Sequence, residues 1–227
     1  MLLMVDYTIK HSKRKTVGIY IKDGCVEVRA PLKCPKSEIE SFVSSKAGWI
    51  NDKLHESKKQ AEKKKAFALN YGDTILYRGV TYPLTARAGT RAFFDGQCFY
   101  LPQGLKPALI KEICVKVYRQ LAKVHLIDRV AKYSEQIGTS PVSVKINGAK
   151  SRWGSCSSRK SINFSWRLIM AEDSVIDYVV VHEMAHLIHM DHSYKFWAVV
   201  ESVLPDYQER KSQLLNLQNR LATEDWG

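Results

Sequence analysis

The spacing of hydrophobic and polar positions changes along the chain, and each change marks a predicted element. Residues 7–28 alternate apolar and polar side chains around Asp23-Gly24, which predicts a β-hairpin with a two-residue turn. In residues 37–65, apolar side chains recur three and four positions apart instead. This second pattern predicts one helix, with Ser37 as its N-cap.

Short apolar runs return in residues 73–101, where Asp95-Gly96 separates aromatic residues and predicts a second hairpin. Residues 107–137 then keep a helical spacing, which predicts a long helix that ends at Gly138. Further strands are predicted at residues 142–146 and 161–169, and further helices at residues 193–204 and 206–221.

These elements together predict an α+β fold. A β-rich region with one helix is expected at residues 1–104, and a mainly helical domain with a small sheet at residues 105–227. No run approaches the ~20 apolar residues that a membrane span needs, and residues 1–6 lack the basic start of a signal peptide. The five cysteines are scattered without a C-x-x-C pair, which argues against a disulfide framework. We therefore expect a cytoplasmic protein without membrane contact.

One short segment carries the candidate chemistry, because it contains the pattern H-E-x-x-H at His182, Glu183 and His186. Positions four apart share one face of a helix, so the two histidines can point at one metal ion. Glu183 can then flank the ion without binding it and accept a proton from a metal-bound water. Ser174, with Asp177 three residues later, is expected to cap this helix.

A catalytic zinc site usually has three protein ligands, and three residues compete for the third position. His192 follows His186 by six residues, which requires the helix to end and the chain to turn back. Its neighbour Ser193 is a good N-cap for a following helix, which favours His192. The alternatives are His189, three residues past His186, and the more distant Glu201.

A second segment, residues 150–159, joins the two strands before the metal helix. Its Trp153-Gly154 pair lies among small hydroxyl residues, which is typical of a backbone shaped for close approach. The arginines of this region can bind an anionic substrate or stabilise developing negative charge. The alternative interpretation is a polar hairpin with a packing tryptophan, and nothing in the sequence requires Cys156 to lie near the metal. The candidate substrate-binding residues are Arg152, Trp153, Arg159 and Asn163.

The motifs RWGSCSS, INFSWRLI and VVVHEMAHLIHMDHSYKFW together resemble the YgjP-like metallopeptidase family, which is related to the SprT-like and WLM zinc peptidases. The resemblance implies a zincin-like catalytic domain with Glu183 as catalytic base. It also implies that Phe196 and Trp197, in the block HSxxFW, pack the core, and some family members are assigned a pyrophosphohydrolase activity on uridine triphosphate. The ligands that the resemblance implies for Zn²⁺ are His182, His186 and His192.

The positive net charge of the chain makes anionic substrates possible in addition to peptides. Lys and Arg number 35 against 23 Asp and Glu, a net charge of +12 that attracts phosphates, nucleic acid or acidic substrates. Part of this excess is the lysine run of residues 58–65, which is either a solvated helix end or a polyanion contact.

The leading hypothesis from the sequence is a zinc-dependent metallopeptidase that uses Glu183 as general base. One alternative is a nucleoside triphosphate pyrophosphohydrolase of the UTP type on the same metal site. The other is a basic nucleic-acid-binding protein with a structural metal. An exposed apolar edge of the N-terminal region is expected to align an extended peptide against the strand predicted at residues 161–169.

Overall fold

The computed structural model describes residues 6–22 and 24–227. They form two compact units, the smaller one running up to Phe67 and including Ala222–Asp225, the larger one comprising Ala68–Leu221 and Trp226–Gly227. The α+β class is confirmed. The division into domains at residue 104 stays a prediction, whereas the two compact units separate after Phe67.

The smaller unit packs one sheet against two helices. Its sheet has the order β1-β3-β2, with β2 antiparallel and β1 parallel to β3. Lys22 pairs with Cys25, so β2 and β3 form the predicted hairpin, and Gly24 has a φ of 77° in its turn. Asp23 lies outside the described residues, as do residues 1–5, on which the expectation about a signal peptide partly rests. The elements are β1 (Thr8–Ser12), β2 (Gly18–Lys22), β3 (Cys25–Pro31), α1 (Lys36–Ser45) and α2 (Ala47–Ala66).

The prediction of a single helix at residues 37–65 is wrong in two respects. The segment forms two helices, α1 and α2, which are separated at Lys46, where a φ of −109° and a ψ of 9° are not helical. The spacing hides this break because Ile39, Val43 and Ile50, on both sides of it, enter the same core. The N-cap position is Pro35 rather than Ser37, since the extended backbone of Pro35 directs its carbonyl to the first helical N–H groups.

The larger unit contains two sheets. One has the order β4-β5-β7-β6, and its antiparallel β6–β7 pair is the predicted hairpin, in which Asp95 Oδ1 accepts the N–H groups of Gln97 and Cys98. The other has the order β8-β10-β9. The strands are β4 (Thr74–Tyr77), β5 (Val80–Arg87), β6 (Phe93–Phe94), β7 (Phe99–Pro102), β8 (Ser143–Asn147), β9 (Gly154–Cys156) and β10 (Ser161–Ser165).

Two expectations about β10 are corrected by the second sheet. The strand ends at Ser165, and the residues that follow form a 3₁₀ turn, Trp166–Met170, whose buried apolar side chains continue the hydrophobic run without continuing the strand. In addition, β10 lies between β8 and β9, so both of its edges are already hydrogen-bonded. A peptide cannot add to β10, and β9 is an edge strand of this sheet.

Four helices complete the larger unit. The predicted long helix and its stop are confirmed, since α3 ends at Gly138 with a φ of 72°. The cap predicted for the metal helix is wrong, because Glu172 holds the N-cap position and Ser174 already lies inside the helix. No helix among the described residues is both long and apolar enough to cross a membrane. The helices are α3 (Pro107–Ile137), α4 (Asp173–Ala185), α5 (Tyr194–Val203) and α6 (Tyr207–Leu221).

Helix α4 lies inside the larger unit, in contact with α3, α5, α6 and β9. Its apolar residues are buried around most of its circumference, as in a helix that faces protein on all sides. The polar residue Asp177 is buried as well, and its carboxylate accepts two hydrogen bonds from the guanidinium of Arg129 on α3. This paired contact fixes α4 against α3 five residues before His182.

We expect Asp177→Ala to lower the free energy of unfolding by about 3 kcal/mol, because it leaves the Arg129 guanidinium largely buried without its partner. Chemical denaturation measures this loss. The control is Glu112→Ala, which removes an exposed ion pair with Lys116 and should cost at most about 0.5 kcal/mol. Equal effects of the two substitutions would contradict a fixing role for the buried pair.

Candidate metal centre

The end of α4 brings the first two histidines together. His182 lies in the last turn of the helix, and His186 directly follows it with a φ of −66° and a ψ of −17°, so the four-residue spacing is kept on one face. The chain then leaves the helix, and the segment before α5 carries His192 back towards it. His192 Nε2 lies 3.2 Å from His182 Nε2, and one ring nitrogen of each of the three histidines lies within 4.8 Å of the others.

The distance between the His182 and His192 nitrogens suits a tetrahedral metal ion. Zinc binds imidazole nitrogen at about 2.0–2.1 Å, which places two nitrogens of a tetrahedral site about 3.3 Å apart. His186 Nδ1 lies 3.1 Å from the carbonyl oxygen of His189, so an Nδ1–H there donates to that oxygen and leaves Nε2 for a metal. Among the described residues, the three histidines are the one cluster of this kind that can hold an ion.

Burial keeps two of these histidines in the form that can bind a metal ion. It lowers the pKa of His182 to about 3, and the neighbouring His186 and His192 act in the same direction. Burial also lowers the pKa of His186. Since the neutral imidazole is the form that binds metal, His182 and His186 do not have to lose a proton at neutral pH before they bind an ion.

The structure gives less support to the two alternatives for the third ligand. Glu201 is an exposed residue on α5 and does not belong to the cluster. His189 contributes its backbone carbonyl to His186, and its ring is not part of the cluster either. The geometry therefore favours His192, which the spacing of the sequence also favoured.

A single buried ring supports the three histidines from behind. Phe196, on the first turn of α5, is fully buried, and its ring centre lies 5.0, 4.6 and 4.7 Å from those of His182, His186 and His192. Trp197 stacks on His192 from another side, with ring centres 5.8 Å apart. The core-packing role expected for Phe196 and Trp197 thus extends to the orientation of the imidazoles.

We expect Phe196→Leu to weaken binding of a divalent metal ion on the order of tenfold, because the histidine rings lose the surface that orients them. Competition with a chelator measures the affinity. Val200→Ala, which removes buried volume from the same helix without a ring contact to the histidines, serves as control for a general loss of stability. An unchanged affinity in Phe196→Leu would show that the rings orient themselves without it.

Glu183 is buried against the second sequence motif. Glu183 is only 6% exposed. Strand β9 passes so close to it that a methyl group on Gly154 would lie 2.5 Å from the Glu183 Cγ and 2.6 Å from the Glu183 Oε1. The absent side chain of Gly154 therefore makes the space that the carboxylate occupies. This confirms the close approach predicted at Trp153-Gly154 and identifies its partner.

The same burial changes the chemistry of the carboxylate. It raises the pKa of Glu183 to about 7, against an opposing charge effect from Arg152. Burial, together with the charge of Glu183, also raises the pKa of the Cys156 thiol, which favours its protonated form. The site thus contains a carboxylate that can exchange a proton near neutral pH and no thiolate beside it.

The four predicted substrate residues lie in different surroundings. Arg152 is exposed and close enough for its charge to act on Glu183. The backbone carbonyl of Trp153 accepts the N–H of Ser165, while Arg159 lies exposed in the turn between β9 and β10. Asn163 pairs with Ser155, which places it on the opposite face of the sheet from Gly154 and Glu183. The structure brings only Arg152 towards the carboxylate, and the binding roles stay predictions.

Comparison with known proteins gives one match that covers most of the chain. A family model described as the YgjP-like metallopeptidase domain matches residues 15–217. No curated protein matches the chain. Among solved structures, the metallopeptidase zymogen of Pyrococcus abyssi abylysin is 23% identical over 44% of this chain and 98% of its own, with a TM-score of 0.38. The metallopeptidase zymogen of Methanocaldococcus jannaschii jannalysin is 15% identical over 40% of this chain and 94% of its own, with a TM-score of 0.37.

Proposed function

Because the chain belongs to the family of YgjP-like metallopeptidase domains, we propose that it is a zinc-dependent metallopeptidase with Glu183 as its general base. The observation that best supports this is the convergence of three imidazoles, two of which burial favours in the neutral form, beside a buried carboxylate. Three nitrogen ligands with one open position are the usual donor set of catalytic zinc. In this proposal the zinc ligands are His182, His186 and His192.

The chemistry that zinc supplies in such a site is polarisation of a carbonyl group and acidification of water. Among the protein's own residues, Glu183 performs the proton transfer. Its carboxylate accepts the proton of the attacking water and returns it to the amine that leaves when the peptide bond breaks. Burial raises the pKa of Glu183 to about 7, which suits both directions of this proton transfer. Gly154, which has no side chain, leaves the space that the carboxylate occupies.

The edge of β9 offers a place for the peptide. An extended substrate can add to this edge through backbone hydrogen bonds, as peptides do at other exposed sheet edges. Because Gly154 of β9 contacts Glu183, a peptide held there would pass near the base. Arg152, exposed and close to Glu183, is positioned to stabilise negative charge that develops on the substrate.

No observation favours the other two functions predicted from the sequence. The pyrophosphohydrolase interpretation relied on several arginines, but only Arg152 lies near Glu183, and Arg159 lies in an exposed turn. The nucleic-acid interpretation relied on lysines, and the described run of residues 58–65 lies on the exposed surface of α2 in the smaller unit. Both stay predictions.

We expect Glu183→Gln to lower peptide cleavage by a factor on the order of 100 or more while the zinc content stays at about one ion per chain. His192→Ala should lose zinc and activity together. Cleavage of an unfolded protein and elemental analysis of the same samples measure both. A variant that cleaves normally without Glu183, or a wild type that binds no zinc, would overturn the proposal.

We expect Gly154→Ala to reduce cleavage about as strongly as a removal of the base, because the added methyl group displaces the Glu183 carboxylate. Zinc binding should be retained, since the atoms nearest to the added methyl group all belong to Glu183 and not to a histidine. Gly148→Ala is the matched control, because its methyl group would meet only the mobile end of the Arg119 side chain and a more distant Trp166 nitrogen. Full activity in Gly154→Ala would show that the carboxylate does not depend on this contact.

A further inference from the structure

The two-residue turn between β4 and β5 has a backbone conformation that arginine rarely adopts. Tyr77 pairs with Val80, so Arg78 and Gly79 form the turn, with φ values of 48° and 79°. A turn with two positive φ angles normally takes asparagine or aspartate followed by glycine. Among the described residues, Lys160 is the only other non-glycine residue with a positive φ. Strain of this kind persists where the surrounding structure determines it, which points to a use for the side chain that carries it.

This turn is held against the segment that leads into α4. The N–H of Arg78 donates to the carbonyl oxygen of Ile169 at 2.9 Å, and the N–H of Gly79 donates to that of Met170 at 3.2 Å. A methyl group on Gly79 would lie 2.3 Å from the Cγ of Glu172, the N-cap residue of α4. The turn therefore has little freedom to move relative to the start of α4.

The Arg78 side chain connects the turn to the helix itself. Its guanidinium donates two hydrogen bonds to the carboxylate of Asp173, the first residue of α4, from Nε to Oδ1 at 2.7 Å and from Nη2 to Oδ2. The side chains of the pair are 40% and 36% exposed, so the pair adds little to stability. Its two parallel hydrogen bonds instead fix the position of the helix relative to the turn.

The same turn connects α4 to the sheet that carries Gly154. Ile169 and Met170 belong to the 3₁₀ turn directly after β10, and β10 pairs with β9. Arg78 thus bridges the end of this sheet and the first residue of α4. Arg129, by contrast, holds α4 to another helix, α3, and packed helices can shift by small amounts.

The position of α4 along its axis matters most at Glu183. This residue lies ten positions after Asp173, about 15 Å along the same helix, so a shift at the start of α4 moves the carboxylate as well. The close approach of Gly154 leaves the carboxylate little room for such a shift. His182 belongs to the same helix and His186 directly follows it, so these two ligands move with α4 and metal binding depends less on its position.

We propose that Arg78 is a positioning residue for Glu183. By holding Asp173, it keeps α4 at the place along its axis where the Glu183 carboxylate lies against Gly154. This inference rests on the proposed function and adds to it a residue that acts through another one. The strained backbone at Arg78 follows from this role, because glycine would fit the turn without strain but could not reach Asp173.

The test compares Arg78→Gly with Lys160→Gly in the zinc-loaded full chain. Glycine accepts the positive φ at both positions, so neither substitution disfavours its turn. Arg78→Gly removes the contact with Asp173, whereas Lys160→Gly removes an exposed side chain beside β10. Zinc content and the free energy of unfolding are measured on each sample, and activity is expressed per zinc-loaded chain.

We expect Arg78→Gly to lower kcat on the order of tenfold with KM and zinc content unchanged, because a small misplacement of the base slows the reaction without weakening substrate binding. Lys160→Gly should keep the wild-type values. Arg78→Lys should recover part of kcat, since lysine keeps the charge but not the paired hydrogen bonds. Asp173→Ala should reproduce the loss, and its combination with Arg78→Gly should add little, as expected for two partners of one contact.

A kcat of Arg78→Gly equal to that of Lys160→Gly would overturn the inference, because the contact would then matter for folding alone. Losses in Arg78→Gly and Asp173→Ala that add up in full in the double variant would overturn it too, since the two residues would then act independently.

Crystal structures of the two zinc-loaded glycine variants separate this inference from the proposed function. We expect the distance between Glu183 Cγ and Gly154 Cα to change by about 0.5 Å or more in Arg78→Gly and to stay the same in Lys160→Gly. If the wild type cleaves no peptide but this change occurs, Arg78 positions Glu183 and the peptidase proposal fails. If the distance is unchanged in Arg78→Gly, the inference is overturned whatever the activity.

Discussion

Helix α4 is in contact with α3, α5, α6 and β9, so its buried polar side chains, Asp177 and Glu183, have to be accommodated inside the protein. An unpaired charge in such a place costs several kcal/mol, of the order of the whole stability of a domain. Asp177 meets this requirement through the paired hydrogen bonds from Arg129, whereas burial raises the pKa of Glu183 to about 7 and thereby favours its uncharged form. Asp177, which anchors the helix, and Glu183, which is proposed as the base, are therefore subject to the same constraint on buried charge.

Burial shifts the pKa values of histidine and glutamate in opposite directions, and both shifts suit the proposed reaction. Removal from water disfavours the charged form of any group, so it lowers the pKa of His182 and raises that of Glu183. The histidine stays neutral and available to a metal, while the carboxylate becomes a better base. Phe196 contributes to this environment, because the ring that orients the three imidazoles also excludes water from behind them.

The sequence predicted those parts of the site that depend on local geometry. His182 and His186 follow from helical spacing, and His192 from a helix stop followed by a good cap. It could not predict contacts between distant segments, such as Arg129 with Asp177 or Gly154 with Glu183, since spacing carries no information about them. The errors in the fold have a related cause, because the break at Lys46 and the end of β10 at Ser165 both lie within runs whose apolar side chains stay buried. Hydrophobic patterning reports which side chains enter a core and not the backbone conformation that carries them.

We propose that three histidines hold one zinc ion next to a carboxylate that does not bind it. Crystals of the zinc-loaded protein, measured on both sides of the zinc absorption edge, test this most directly. We expect one anomalous peak per chain at about 2.0–2.1 Å from a ring nitrogen of each of His182, His186 and His192, with Glu183 against Gly154 and outside bonding distance. A peak bound by Glu201, by the His189 ring or by Glu183 itself would contradict it.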